Sequence, residues 1–198
     1  MKKRSKKKKT SKAPKVLLHT CCAPCTTAVY QDLKKTGFDV TGFFYNPNIH
    51  PYTEYEKRLL TMKLYAALAN LKMVYVDLYD IENFFDIIFK KKDKRCLYCY
   101  ILRLHKTAAY AKKHGFDCFT TTLLVSPSQK HAYIKQAARI VAKKYGVEFL
   151  YKDFRKRFSE GRHMAKHMNL YRQRYCGCIY SERDRFRPAC RRGQVKHL

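Results

Sequence analysis

The chain has 198 residues, of which 46% are hydrophobic, so it suits one domain with a sizeable buried core. Lys+Arg number 43 against 15 Asp+Glu, a net charge of +28, which directs the chain to a polyanion, either nucleic acid or an acidic membrane surface. No apolar run of about 18 residues occurs, which excludes a membrane span, and only Val16-Leu17-Leu18 follows the basic N-terminus, too short for the apolar core of a signal peptide.

Residues 1–14 are a Lys/Arg-rich tail with little to bury and are expected to be disordered, adding non-specific phosphate affinity. Residues 15–19 read as a short buried strand that runs into the turn Thr20-Cys21-Cys22-Ala23-Pro24-Cys25. A helix is predicted over 26–35, stopped by Gly37. Residues 40–45 form the second strand, broken by Asn46-Pro47-Asn48. Thr53 with Glu56 three residues on makes a capping box for a long helix carrying Leu59, Met62 and Tyr65. A third strand over 73–78 and a short helix over 83–89 follow. Residues 96–114 are helical up to Gly115, 118–124 form the fourth strand, 131–145 a helix stopped by Gly146, and 147–151 the fifth strand. From Phe154 the pattern is helical through Leu170 and Tyr175 to Cys176. Residues 183–198 read as a loose basic tail.

Strands alternating with helices predict, over residues 15–182, a catalytic α/β domain with a parallel sheet and helices on both faces. Sites in such sheets lie off the carboxyl ends of the strands. The first cysteine group falls there.

A cytoplasmic protein is expected, and nine cysteines in a reducing compartment point to metal binding or redox chemistry. Seven of them form three groups: Cys21-Cys22-x-x-Cys25, Cys96-x-x-Cys99 and Cys176-x-Cys178. Thiolates are soft donors that suit iron–sulfur clusters and zinc. Cys96 and Cys99 share one face of a helix. Gly177 lets Cys176 and Cys178 address one metal or pair with each other. In an extended segment Cys21 and Cys22 point to opposite sides, so binding one centre together needs a sharp turn. Spacing alone leaves a zinc site, a dithiol and an iron–sulfur centre open. Cys118 reads as a core residue of the fourth strand, and Cys190 as a bystander in the tail.

Asp93 and Asp153 are candidate proton donors or oxygen ligands, Asp153 equally a helix cap. His19 reads as a proton donor or a satisfied core histidine. Tyr45, Asn46 and His50 line the pocket or form a turn. Arg155, Tyr171, Arg172 and Arg174 flank the last cysteine group, a mixture that suits contact with phosphate and base near a redox site.

The residues resemble the QueH-type epoxyqueuosine reductases over about 15–182. The resemblance rests on HTCCAPC from His19, FFYNPNIHPYTEYEKR from Phe43 and RCLYCYILRL from Arg95. It continues through TTTLLVSPSQ from Thr120, DFRKRFSEG from Asp153 and LYRQRYCGCIYS from Leu170. It implies a fold similar to adenine-nucleotide α-hydrolases and the last step of queuosine synthesis, reduction of epoxyqueuosine at the wobble position of tRNA. It implies a [4Fe–4S] cluster on Cys21, Cys22, Cys96 and Cys99, and a redox-active pair in Cys176 and Cys178. The same two thiols, with Cys25, are alternative ligands to a second, mononuclear iron or zinc. An external electron donor must recharge the cluster. The Thr20–Cys25 loop also lacks the glycines with which ATP-using tRNA enzymes of similar fold cradle phosphate. A colourless zinc-bound RNA-binding module is the other rival.

Overall fold

The structure, a computed structural model, describes residues 13–187. Strands β1 (Lys15–His19), β2 (Asp39–Phe44), β3 (Lys72–Tyr75), β4 (Cys118–Thr121) and β5 (Glu148–Phe149) form one parallel sheet. Their order is β3-β2-β1-β4-β5. Helices α1 (Ala23–Lys35), α2 (Tyr52–Ala69), α3 (Ile81–Phe89) and α4 (Arg95–Lys113) are followed by α5 (His131–Tyr145), α6 (Phe158–His167) and α7 (Ile179–Phe186). Residues Val16 to His19 of the central strand are wholly buried, as a parallel strand covered on both faces must be. Helix α1 packs with α2 and α6, and α4 packs with α5, which gives the expected helices on both faces. Among the described residues no helix is long and apolar enough to cross a membrane.

The strand order creates the site. The chain moves outward from β1 through β2 to β3, then returns to place β4 on the other side of β1. The carboxyl ends of β1 and β4 therefore part around a crevice, the place where such sheets bind ligands.

Several boundaries differ from expectation, each for a local reason. Helix α1 starts at Ala23, because Pro24 fits a first helical turn, where no N–H partner is lost. Helix α2 starts after Pro51, so Thr53 lies inside the first turn and the capping box does not form. Strand β4 ends at Thr121, whose Oγ1 accepts from the Leu123 N–H at 3.1 Å and starts a 3-10 turn over Thr122–Val125. Strand β3 stops at Tyr75 and β5 spans two residues. The largest correction concerns residues 168–178, expected as helix. Helix α6 ends at His167, Asn169 takes a left-handed φ of 50°, and the chain crosses to α7 as a non-helical strap. Helix α7 carries regular structure through Phe186. Most of the N-terminal tail, and Cys190, lie outside the described residues.

A candidate metal and redox centre lined by thiols

Cys21, Cys22 and Cys25 sit where β1 gives way to α1. Cys22 is extended (φ −171°, ψ 159°) and the helix begins at the next residue. This abrupt change brings together two side chains that a continuing strand would send apart. The Cys21 and Cys22 sulfurs are 3.8 Å apart, and all three sulfurs lie within 4.8 Å of one another. Thr122, at the end of β4, donates its hydroxyl to the Cys21 Sγ at 3.2 Å and accepts from the Cys21 N–H at 3.1 Å. Gln173 donates from Nε2 to the Cys22 Sγ at 2.8 Å and to the Cys25 Sγ at 3.7 Å. Hydrogen bonds from Cys22 and Cys25, then from Thr122, hold the Cys21 thiol well below its usual range. Burial pushes Cys22 up. Of the pair, Cys21 is thus the readier to ionise.

The opposite wall comes from α4. Cys96 and Cys99 lie in its first two turns and face the same cavity of about 720 Å3 as Cys21 and Cys25. Cys99 packs with Phe84, Ile88 and Cys178, and burial pushes its thiol up to about 12. Arg103 follows one turn on, 3% exposed, with Nε donating to the Cys99 carbonyl at 3.2 Å. Among the described residues no carboxylate pairs with it. Burial works to lower its pKa, but the nearby Cys99, Tyr100, Cys21 and Cys176 outweigh that and raise it. A buried cation whose neighbours are thiols favours their ionised form.

The strap supplies the third thiol group, and α2 fixes it. Arg58 is fully buried and paired with Glu54, at 2.6 Å from Nη2 to Oε1. Its Nη1 donates to the Cys176 carbonyl at 3.1 Å and its Nη2 to the Tyr175 carbonyl at 3.0 Å. Tyr171 donates to Glu54 Oε2 at 2.5 Å, and Tyr175 to the His50 carbonyl at 2.5 Å. The His50 N–H in turn donates to the Gly177 carbonyl at 2.8 Å. Gly177 has φ +116°, and a Cβ there would stand 2.9 Å from Ile49 and 3.1 Å from Arg58. Only glycine fits both the conformation and the space. Cys176 is exposed and donates to the Ser181 Oγ at 2.9 Å. Cys178 is half-buried, and burial pushes its thiol up to about 11. Both are free thiols.

The cavity therefore gathers thiols from all three sequence groups, with Cys22 just behind its wall. Other expected residues lie elsewhere. Asp93 is exposed on a 3-10 turn before α4 and does not line the cavity. Nor does Asp153, which accepts from the Arg155 N–H at 3.1 Å and from its guanidinium at 2.5 Å. Those bonds from Arg155 hold its carboxyl well below the usual range; its shape is a local turn cap. His19 is wholly buried, with Nδ1 at 2.8 Å from Thr121 Oγ1 and Nε2 at 3.3 Å from the Tyr45 carbonyl. Burial, with Arg103 nearby, lowers it to about 4, the state of a satisfied core histidine. Tyr45, Asn46 and His50 are buried behind the site. Tyr171, Arg172 and Arg174 lie on the strap, and Arg174 reaches the cavity wall.

Four residues of the site carry no role in the sequence reading: Arg58, Arg103, Thr122 and Gln173. Arg103 stands four residues after Cys99, on the same helical face, a spacing that signals it. The others are recruited by tertiary contact.

The donor set fits a thiophilic metal centre. Sulfurs bound 2.3 Å from one tetrahedral ion stand about 3.8 Å apart, the Cys21–Cys22 separation. Cys96 and Cys99 lie across the same cavity, whose buried Arg58 and Arg103 offset thiolate charge. Towards solvent the wall carries Arg95, Lys130, Arg162 and Arg185, with Asp184 the one carboxylate among the described lining residues. Such a rim suits an anionic polymer.

The family model described as epoxyqueuosine reductase QueH matches residues 16–184. The chain is 44% identical over 174 residues to the epoxyqueuosine reductase QueH of Dehalococcoides mccartyi, covering 88% of this chain and 96% of that one. It is 38% identical over 182 residues to the epoxyqueuosine reductase QueH of Thermotoga maritima, covering 86% and 91%. Among solved structures, a predicted subunit of tRNA methyltransferase from Methanocaldococcus jannaschii aligns over 79% of this chain and 88% of its own, with a TM-score of 0.48 and 14% identity.

Proposed function

The chain belongs to the epoxyqueuosine reductase QueH family, and from that membership we propose how its cavity serves the reaction. The enzyme is an oxidoreductase that converts epoxyqueuosine to queuosine in tRNA, the final step of queuosine biosynthesis. The reaction removes the epoxide oxygen as water and leaves an alkene, consuming two electrons and two protons. The convergence of three cysteine groups on one cation-lined cavity carries this reading.

Cys21, Cys96 and Cys99 on the facing walls, with Cys22 beside Cys21, would hold a [4Fe–4S] cluster. When bound, it supplies electrons one at a time. Thr122 and Gln173 orient the first wall through hydrogen bonds to sulfur, and Arg103 balances thiolate charge from behind the second. A second, mononuclear iron or zinc would take Cys25, Cys176 and Cys178, which line the same cavity as the cluster thiols. In the alternative role, Cys176 and Cys178 work as a dithiol. Closing them to a disulfide releases two electrons and two protons, the number the epoxide consumes, and an external electron donor reopens it. Cys176, exposed at the cavity mouth with Ser181 as its partner, is the better placed of the two to pass a proton to substrate. Asp93 and Asp153 keep roles outside the reacting centre, Asp153 positioning Arg155 as an outer phosphate contact. The strap residues Tyr171, Arg172 and Arg174 meet the RNA beside the modified base.

The test is turnover. Anaerobically purified protein with a low-potential chemical reductant should convert epoxyqueuosine in tRNA to a nucleoside lighter by one oxygen, read by mass spectrometry of the digested RNA. An unchanged nucleoside with protein that carries its metal contradicts the reading.

A further inference from the structure

We propose that a smaller cavity beside the thiol-lined one takes a single unstacked nucleobase of the RNA, the immediate neighbour of the nucleotide under reduction. This rests on the reading that RNA is the substrate, and it adds a second recognition site to it.

The smaller cavity measures about 240 Å3 and shares Arg174 and Tyr175 with the larger one. A nucleotide in each would therefore be separated by a single layer of side chain, the spacing of neighbours on one strand. Its volume lies below the roughly 300–1,000 Å3 of ordinary small-molecule sites, so it suits one base and leaves sugar and phosphate outside. Phe186, at the end of α7, lines it and is 52% exposed. Tyr175 stands edge-on to Phe186, with ring centroids 6.4 Å apart and an interplanar angle of 77°. An exposed aromatic ring beside a half-buried one is a stacking platform, the device by which proteins hold splayed-out bases of single-stranded RNA.

The polar groups fit the same occupant. Lys57, Arg172 and Arg174 border the cavity, and among the described residues neither arginine is in an ion pair. They are available to the phosphates on either side of the base. Of the two carboxylates in the wall, Glu54 is committed to Arg58 and Tyr171. Glu182 remains to accept from an amino or ring N–H of the base, which favours a base that presents a donor.

The experiment uses the metal-loaded protein and an anticodon stem-loop RNA in which each neighbour of the modified nucleotide is made abasic in turn. One abasic position should weaken binding to the wild type roughly tenfold, the scale of one base–aromatic stack. Phe186→Ala should lose a similar factor on the intact RNA, and the same abasic change should then cost it under about twofold. Phe186→Trp should restore affinity. Iron content and the single-turnover rate at saturating RNA should match the wild type. If Phe186→Ala and Arg172→Ala bind intact RNA as the wild type does, or if the abasic and Phe186 losses simply multiply, the base site is overturned. That result, with a wild type that still reduces its substrate, leaves the enzyme's function standing. A wild type that neither binds nor reduces the RNA overturns both.

Discussion

The Arg58 guanidinium donates to the main-chain carbonyl of Cys176 at 3.1 Å. Helix α2 carries no thiol, yet through this bond and its neighbour to Tyr175 it fixes the last thiol pair over the cavity. Arg58 is itself held by Glu54, and Glu54 by Tyr171 of the same strap. The strap is thus clasped at both ends of one buried ion pair.

Arg58→Lys keeps a charge for Glu54 but cannot fork two carbonyls. Stability should fall by about 1–3 kcal/mol, measured by urea unfolding. Turnover should fall at least roughly tenfold through misplacement of the reacting groups, with the metal content of the protein unchanged. Wild-type turnover in the lysine variant would show that the clasp does not position the thiol pair.

Gly177→Ala puts a Cβ 2.9 Å from Ile49 at a φ of +116°. The strained backbone should cost about 1–3 kcal/mol and displace Cys176 and Cys178. Single-turnover kinetics should show a slower reduction step, while the α1 and α4 thiols keep their metal. A fast alanine variant contradicts the tight packing described for this loop.

Gln173→Leu removes the N–H that meets the Cys22 sulfur at 2.8 Å. Hydrogen bonds to ligand sulfurs raise the reduction potential, so the centre should become harder to reduce. Metal affinity or activity should drop by roughly 10–100-fold, as for other partners that orient ligands. A redox titration and a chelator challenge check the two effects, and an unmoved potential would mean that the amide does not act on the sulfur.

His50 is buried among Phe84, Phe85 and Tyr79, and its Nε2 has no partner among the described residues. Burial lowers it to about 4, whereas the unfolded chain takes up the proton near its ordinary 6.5. Between these values the unfolded state binds more protons, so stability rises with pH. The contribution is complete above about pH 7 and is lost on acidification, by about 2 kcal/mol at pH 5. Urea midpoints at pH 7 and pH 5 should differ less in His50→Gln than in the wild type. Equal pH slopes would remove His50 from the acid response.

The sequence exposes the frame of this site better than its fastenings. The short strand around Val16-Leu17-Leu18 followed by a cysteine–proline turn marks the switch-point crevice, because sites in parallel sheets lie off the carboxyl ends of the strands. Cys96, Cys99 and Arg103 share a helical face that spacing reveals. Glu54 and Arg58 carry no sequence signal beyond their i,i+4 spacing, because the strap that buries them comes more than a hundred residues later. The strap itself reads as helix, since Leu170, Tyr171 and Tyr175 mimic helical spacing. Asn169 in the left-handed region and the carbonyls taken by Arg58 break that pattern. Gln173 has no local signal, because its meaning lies in a sulfur on another element. Asp153, read from sequence equally as a site residue and as a cap, accepts from the N–H of the turn beside it.

The most direct test is the iron and acid-labile sulfide content of the protein purified without oxygen, beside Cys96→Ser and Cys176→Ser. The wild type should contain both and absorb broadly near ~400 nm, as thiolate-held clusters do. Cys96→Ser should lose iron and sulfide together, and Cys176→Ser should keep most of both while turnover stops. A colourless wild type that carries zinc, contains no sulfide and still reduces epoxyqueuosine would contradict the account.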